Sequence, residues 1–311
     1  MGLELNTALF LKQAHEDGCS FERTATLGHQ TFFLRWDAMQ THFPALNPNA
    51  GWRYADPFLE AAFGCKEVTS FDASDFEGAS VVHDMNLPLP TAWHARFDAV
   101  IEMGSLEHIF NFPVAIHSLM QMTKVGGSLF IVTPSNNYLG HGFYQFGPDL
   151  FHRLLSAANG FKIERFYGFE HRYFGPEMGQ SGPWYEVLDP AQVRARPIVI
   201  SDNPMLLMIR ARRVEAKIGP LVIPQQSDYS AMWQNAASGP TPAATSPSTP
   251  ATGGWKLAAR RILQTKFEGL YGKIMHERFR RHREKQRQSE HTLAGSPCFK
   301  RTELRGDSPA M

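Results

Sequence analysis

The sequence predicts an α/β protein: a seven-stranded, mostly parallel sheet with helices on both faces. The strongest sign is the run from Phe97 to Pro134. An apolar strand through Ala99, Val100 and Ile101 ends at Glu102-Met103-Gly104, and a helical segment follows with Val114, Ile116, Leu119 and Met120 near a 3.6-residue period. The Gly126-Gly127 pair then breaks that helix ahead of a second apolar strand, Leu129 to Val132. A second sign is that both strands are apolar at successive residues, the mark of a parallel sheet covered on each side by helices. The third is the alternation of strand-like and helix-like segments along most of the first 212 residues. Ligands of such sheets bind at the carboxyl ends of the strands, where Glu102, Met103 and Gly104 fall.

Each element has its own local reason. Residues 1–20 read as a short helix (Leu5, Leu9, Phe10, Ala14) ended by Gly18. Residues 22–28 are strand-like and close on Leu27-Gly28-His29-Gln30, and a helix through Phe32, Phe33, Trp36 and Met39 follows. The Pro, Asn and Gly between Pro44 and Gly51 make a loop. Residues 56–63 form a helix stopped at Gly64; residues 68–71 a strand ending on Asp72; residues 80–82 a strand ending on His83-Asp84. After the βαβ unit come a helix over residues 148–158 and a strand over 161–167. A loop-rich insertion containing Trp184 and Tyr185 precedes a last strand over 205–211. The organisation is therefore an N-terminal helical extension (1–23) and a main domain (24–215). A linker (216–254) follows, made only of Ala, Ser, Thr, Pro and Gly from 236, then a basic amphipathic helix (255–290) and an unstructured tail (291–311). A chain ending after Gly254 is expected to keep the folded body.

Composition narrows the class. The apolar share of 43% and charged share of 20% are those of a globular protein. Three widely separated cysteines, Cys19, Cys65 and Cys298, suggest a reducing compartment, with neither a disulfide framework nor a structural metal. With no apolar run near the ~20 residues of a membrane span and no signal-peptide pattern, a cytoplasmic location is expected. The net charge of +1 hides an uneven distribution. Residues 255–291 hold 11 Lys/Arg against 4 Asp/Glu, while the first 254 residues hold 17 against 24. The basic helix suits an anionic membrane surface or a protein partner. Nucleic acid is not expected, since no aromatics interleave its arginines.

From about Thr24 to Arg212 this order of elements resembles the class I (Rossmann-like) S-adenosylmethionine-dependent methyltransferases, above all in the Phe-Asp-Ala-Val-Ile and Lys-Val-Gly-Gly-Ser-Leu-Phe-Ile segments. The resemblance implies S-adenosyl-L-methionine as cofactor and a cofactor turn at Leu27, Gly28 and Gln30. It places Asp72 at the ribose, Asp84 and Met85 at the adenine, and Glu102 and Gly104 near the sulfonium or substrate. The chain departs from the family in having one glycine in that first turn and a longer interval from Gly28 to Asp72, through an insertion around residues 40–60.

The residues support these assignments physically. An aspartate at a strand end can accept both ribose hydroxyls, or it can cap a turn. Asp84 can accept from an adenine amino group, or close an Asx-turn with Asn86. The segment from Asn136 to Phe146 packs a histidine, two asparagines, two glycines and four aromatics into a loop at the ligand-binding end of the sheet. His141, Tyr144 and His108 are the candidate bases toward a substrate hydroxyl, with packing or capping as the alternative for each. No metal constellation is visible, and methyl transfer needs mainly in-line positioning and desolvation. The expected activity is methylation of a small molecule or a sugar or glycan precursor. The alternative is a methyltransferase-like binding or scaffold protein that has lost catalysis. A nicotinamide-dependent oxidoreductase is disfavoured by the lack of a glycine-rich dinucleotide turn.

Overall fold

The computed structural model describes residues 2–47, 51–171, 182–216, 218–238 and 292–302, with Glu277 and Arg281. The chain enters through a short strand, β1 (Gly2–Leu3), and a helix, α1 (Leu5–Glu16). Glu4 caps that helix: its carboxylate accepts from the Thr7 amide at 3.1 Å, and the Thr7 hydroxyl accepts from the Glu4 amide at 2.8 Å. Next come β2 (Arg23–Leu27), β3 (Thr31–Phe32), α2 (Trp36–His42) and α3 (Asp56–Phe63). Gly64 stops α3 in the left-handed region, at φ 68°. The helix expected from Phe32 begins only at Trp36, because Thr31 and Phe32 pair with β1 instead.

The central strands follow: β4 (Glu67–Asp72), β5 (Val81–Val82), β6 (Phe97–Met103), then α4 (Phe112–Met122) and β7 (Thr123–Pro134). The remainder is α5 (Pro148–Leu154), β8 (Phe161–Glu170), β9 (Trp184–Val187), α6 (Pro190–Val193), β10 (Met205–Arg213), α7 (Ser227–Ser238) and β11 (Phe299–Thr302). Glu277 and Arg281 pair at 2.9 Å; the rest of the basic segment expected to be helical, and the linker beyond residue 238, lie outside the described residues.

Among the described residues, nine strands form one sheet in the order β11-β9-β8-β10-β7-β6-β2-β4-β5. The five from β5 to β7 pair in parallel, and every pairing beyond β7 is antiparallel. The sheet is thus mixed and wider than the seven mostly parallel strands expected. β10 is apolar on both faces and reads like a parallel strand, yet among the described residues only the four-residue α6 lies between β9 and β10, too short for a crossover, and β10 pairs antiparallel with β7 and β8. β11 is a short, polar edge strand, as Lys300 and Arg301 illustrate, and β9 is a four-residue strand inside the segment expected as a loop-rich insertion around Trp184 and Tyr185. β11 also falls inside the stretch 291–311 that composition marks as unstructured.

The parallel half has the doubly wound order, with its direction of growth reversing between β2 and β6. Alternate strand residues bury on opposite faces. Val100, Leu129 and Ile131 join Ile116 of α4 and Phe151 of α5 on one face. Ala99, Ile101, Phe130 and Val132 join Phe10 of α1 and Phe58 of α3 on the other.

Gly126 and Gly127 lie within β7, not in a helix-ending turn; α4 stops earlier, where the Thr123 hydroxyl turns back to the Leu119 carbonyl at 3.0 Å. A Cβ on Gly127 would sit 2.8 Å from the Asp98 carbonyl oxygen, at the register shift between β6 and β7. Gly127→Ala is therefore expected to destabilise the fold by about 1–3 kcal/mol. Urea denaturation reads the change; a loss within ~0.5 kcal/mol would mean that the strands separate freely there.

Candidate functional site

The switch between β2 and β6 brings three strand ends together, since Leu27 is level with Phe71 of β4 and Glu102 of β6. Gly28 turns the chain there with φ 76°, and its amide donates to the Phe71 carbonyl at 2.7 Å. A Cβ on Gly28 would lie 3.2 Å from Ser105 Oγ, 3.4 Å from Gln30 Nε2 and 3.9 Å from Asp72 Oδ2. Three loops thus converge on a single residue without a side chain. The Leu27 carbonyl is their common acceptor, from Ser105 Oγ at 3.1 Å and from the Gln30 side-chain amide. His29 stacks on Tyr54 with ring centres 3.7 Å apart; its Nε2 lies 3.1 Å from the Asp56 carboxylate and its Nδ1 2.6 Å from the Glu77 carbonyl oxygen. It struts the insertion against the loop after β4.

These strand ends open on a cavity of about 650 Å³. Gly28, Gln30 and Asp72 line it, with Glu4, Glu77 and Arg35 as further polar groups, and Met103, Val132 and Leu206 form an apolar wall. Burial pushes the Glu4 carboxyl above its usual range. The lining is acidic on balance, which favours a cationic ligand.

Glu102 and Gly104 shape the turn beside the cavity. The Glu102 carboxylate is fully buried and accepts from the Ser105 and Leu106 amides at 2.5 and 3.1 Å, while Gly104 supplies φ 84°. Burial, with Glu107 nearby, pushes the Glu102 acid up to about 8. The folded state therefore holds that proton more tightly than the unfolded chain. Its stabilisation is complete below the ordinary carboxylate range, near 4.5, and disappears as pH rises toward 8. Glu102→Gln is expected to flatten the decline in thermal midpoint between pH 5 and 8; an identical slope in both proteins would discount Glu102 as its source.

Glu107 follows in a short helical turn and is also fully buried. Burial drives its acid up to about 7. Its Oε2 accepts from the Thr133 hydroxyl at 3.5 Å, and its Oε1 faces His141 Nε2 at 3.5 Å and His108 Nε2 at 3.9 Å. The loop after β7 docks onto this residue: the Phe143 and Tyr144 amides donate to the Glu107 carbonyl at 2.8 and 3.2 Å. A Cβ on Gly142 would lie 2.8 Å from that same oxygen, so only glycine allows the approach. Nearby, the Tyr138 hydroxyl is 2.6 Å from His171 Nδ1, and burial lowers the His171 imidazole to about 4.

Of the residues expected at a site, Gly28, Gln30, Asp72 and His141 line the cavity, and the Leu27 carbonyl, one residue before Gly28, accepts from the lining residue Ser105. His108 stands beside Glu107, half-exposed. The others lie elsewhere. Asp84 is exposed and closes an Asx-turn, accepting from the Asn86 amide and side chain at 2.9 and 2.8 Å, which hold its carboxyl below the usual range. Met85 is buried in the core. The Tyr144 hydroxyl donates to the Phe110 carbonyl at 2.7 Å. Sequence reasoning missed Glu4, Ser105 and Glu107. The position of Ser105 and Glu107 just past a buried strand end was a usable signal; Glu4, a helix cap at the start of the chain and remote in sequence from the strand ends, gave none.

No protein-family model matches the chain, and no curated protein matches it. Solved structures similar to it include the [4+2]-cyclase SpnF, at 18% identity over 69% of this chain and 82% of that one, with a TM-score of 0.40. The N-methyltransferase NodS from Bradyrhizobium japonicum is 12% identical over 68% and 96% of the two chains, TM-score 0.37. The Burkholderia thailandensis 1,6-didemethyltoxoflavin-N1-methyltransferase, crystallised with S-adenosylhomocysteine, is 16% identical over 68% and 78%, TM-score 0.36. Among the described residues no helix is long and apolar enough to cross a membrane. The chain is an α/β protein whose mixed sheet carries a ligand-sized cleft where its winding reverses.

Proposed function

We propose that the chain is an S-adenosylmethionine-dependent methyltransferase acting on a small molecule, with a sugar or glycan precursor as the favoured acceptor. The observation that carries this reading is the meeting of Gly28, Ser105 and Asp72 at the winding reversal, over a cavity of about 650 Å³. The residues fit the cofactor: Gly28 leaves backbone open for close approach, Asp72 offers a carboxylate to vicinal hydroxyls, and Met103, Val132 and Leu206 give an apolar wall. Glu4, Asp72 and Glu77 favour positive charge in the cleft. S-adenosylmethionine, when bound, supplies a methyl group already activated on a sulfonium sulfur. The chain's own share is orientation and exclusion of water.

At the acceptor end stand His141 and His108, both turned toward Glu107. Phe110 and Phe143 cross edge to face at 6.3 Å and are largely exposed, at 74% and 70%. Such rings can stack on a sugar face. Titration calorimetry with S-adenosylmethionine, followed by transfer of labelled methyl into a metabolite extract, tests the reading. Binding together with a labelled product supports it; a folded protein that binds no cofactor returns the chain to the scaffold alternative, which the single glycine of the first turn favours.

A further inference from the structure

We propose that Glu107, His108 and His141 form a binding site for a divalent transition-metal cation of zinc-like donor preference, at the acceptor end of the cavity. Two imidazole nitrogens and one carboxylate oxygen are the donor set of catalytic zinc and of non-haem iron centres, which leave a further position open for substrate or water. The three donor atoms lie within 4.8 Å of one another, with Glu107 Oε1 3.5 Å from His141 Nε2 and 3.9 Å from His108 Nε2. Good hydrogen bonds span about 2.7–3.2 Å, so these separations are long for a Glu–His pair. Ligands held ~2.0–2.1 Å from one tetrahedral ion stand roughly 3.3 Å apart, close to what is seen. His108, with its side chain 47% exposed, has room to close the remaining distance.

The carboxylate supplies an independent observation. Glu107 is fully buried, yet its Oε1 accepts no hydrogen bond among the described residues, and its Oε2 receives a long contact from Thr133. A buried carboxylate oxygen without a donor is costly unless a cation or a proton satisfies it. The fold also fixes the geometry. Gly142 and the two amide bonds from Phe143 and Tyr144 press the loop onto the Glu107 backbone, placing His141 beside the side chain it faces. Thr133 holds the second carboxylate oxygen, as partners of metal ligands do. Spacing could not reveal this, because the third donor is 33 residues beyond the adjacent Glu-His pair and meets it only through loop docking.

His141 also lines the cavity, so an open coordination position there would face the acceptor. Resting on the methyltransferase reading, the role of the ion is to hold an acceptor oxygen and make it more acidic. The test uses the full, untagged chain stripped with chelator and titrated with Zn²⁺ by calorimetry and with Co²⁺ by visible absorption. One equivalent per chain is expected, with affinity at least about tenfold weaker in His141→Ala and in His108→Ala, and unchanged in His117→Ala. Circular dichroism checks each variant's fold; should His141→Ala fail to fold, half-exposed His108→Ala carries the comparison. Absence of stoichiometric binding, or equal binding in wild type and both histidine variants, would overturn the site and leave an ordinary Glu–His contact. Calorimetry of S-adenosylmethionine on the metal-free protein separates failure of this site from failure of the cofactor reading.

Discussion

Asp72→Ala is expected to weaken S-adenosylmethionine binding at least tenfold, about 1.4 kcal/mol or more, while leaving the fold intact. Asp72 closes β4 with its carboxylate 3.9 Å from the position a Gly28 Cβ would take, and only a long 3.4 Å contact from the Ser74 amide holds its Oδ1. A carboxylate so lightly committed to its own turn is available to a ligand. Hydrogen bonds to a charged acceptor contribute about 1.5–3 kcal/mol each, and a bidentate grip on two hydroxyls would exceed that. Calorimetry measures the change, with Asp75→Ala, three residues along the same loop, as the control. An Asp72→Ala affinity equal to wild type would remove Asp72 from the binding surface.

A second large effect falls on stability. Phe10 is 1% exposed and meets Phe130, Tyr167 and Trp184 edge to face at 6.0, 6.0 and 6.3 Å. Phe10→Ala should cost about 3–5 kcal/mol, from lost transfer energy and from the void left between α1 and the sheet. Phe33→Ala, at a ring 58% exposed, should cost under ~1 kcal/mol and serves as the comparison. Denaturant unfolding gives both values. A Phe10→Ala loss below 1 kcal/mol would show that α1 rests on the sheet without contributing to its core. The same helix carries Glu4 at its start, so its packing also sets one polar group of the cavity.

The parallel half of the sheet was legible because β6 and the second half of β7 are runs of mostly apolar residues, and because β2, β4 and β6 each close on a large apolar residue followed by an acid or a glycine: Leu27-Gly28, Phe71-Asp72, Met103-Gly104. Gly28, Gln30 and Asp72 could be placed at one end of the sheet for the same reason. What stayed hidden was set by tertiary contact. Gly126-Gly127 resembles a helix stop, yet it is used where two strands crowd together. Asp84 is of the right type for a ligand contact but satisfies its own turn through Asn86. Glu107 has the composition of a surface residue, and only the docking of the loop after β7 buries it. The edge strand β11 and its neighbour β9 are four residues each, too short for periodicity to register.

β11 has a consequence for proteolysis. Leu293, Cys298 and Phe299 are buried in the main core, and Phe299 lies against the backbone of Gly168, where a Cβ would come within 2.9 Å of its ring. Residues 239–291 join two held elements, α7 through the Arg196–Asp228 ion pair and β11 through its pairing with β9. One nick within that length need not release the far fragment, which stays on as a non-covalent subunit until denaturant strips it. Ending the chain after Gly254 instead removes the mooring itself and uncovers a raw margin of β9, inviting a second molecule to pair there.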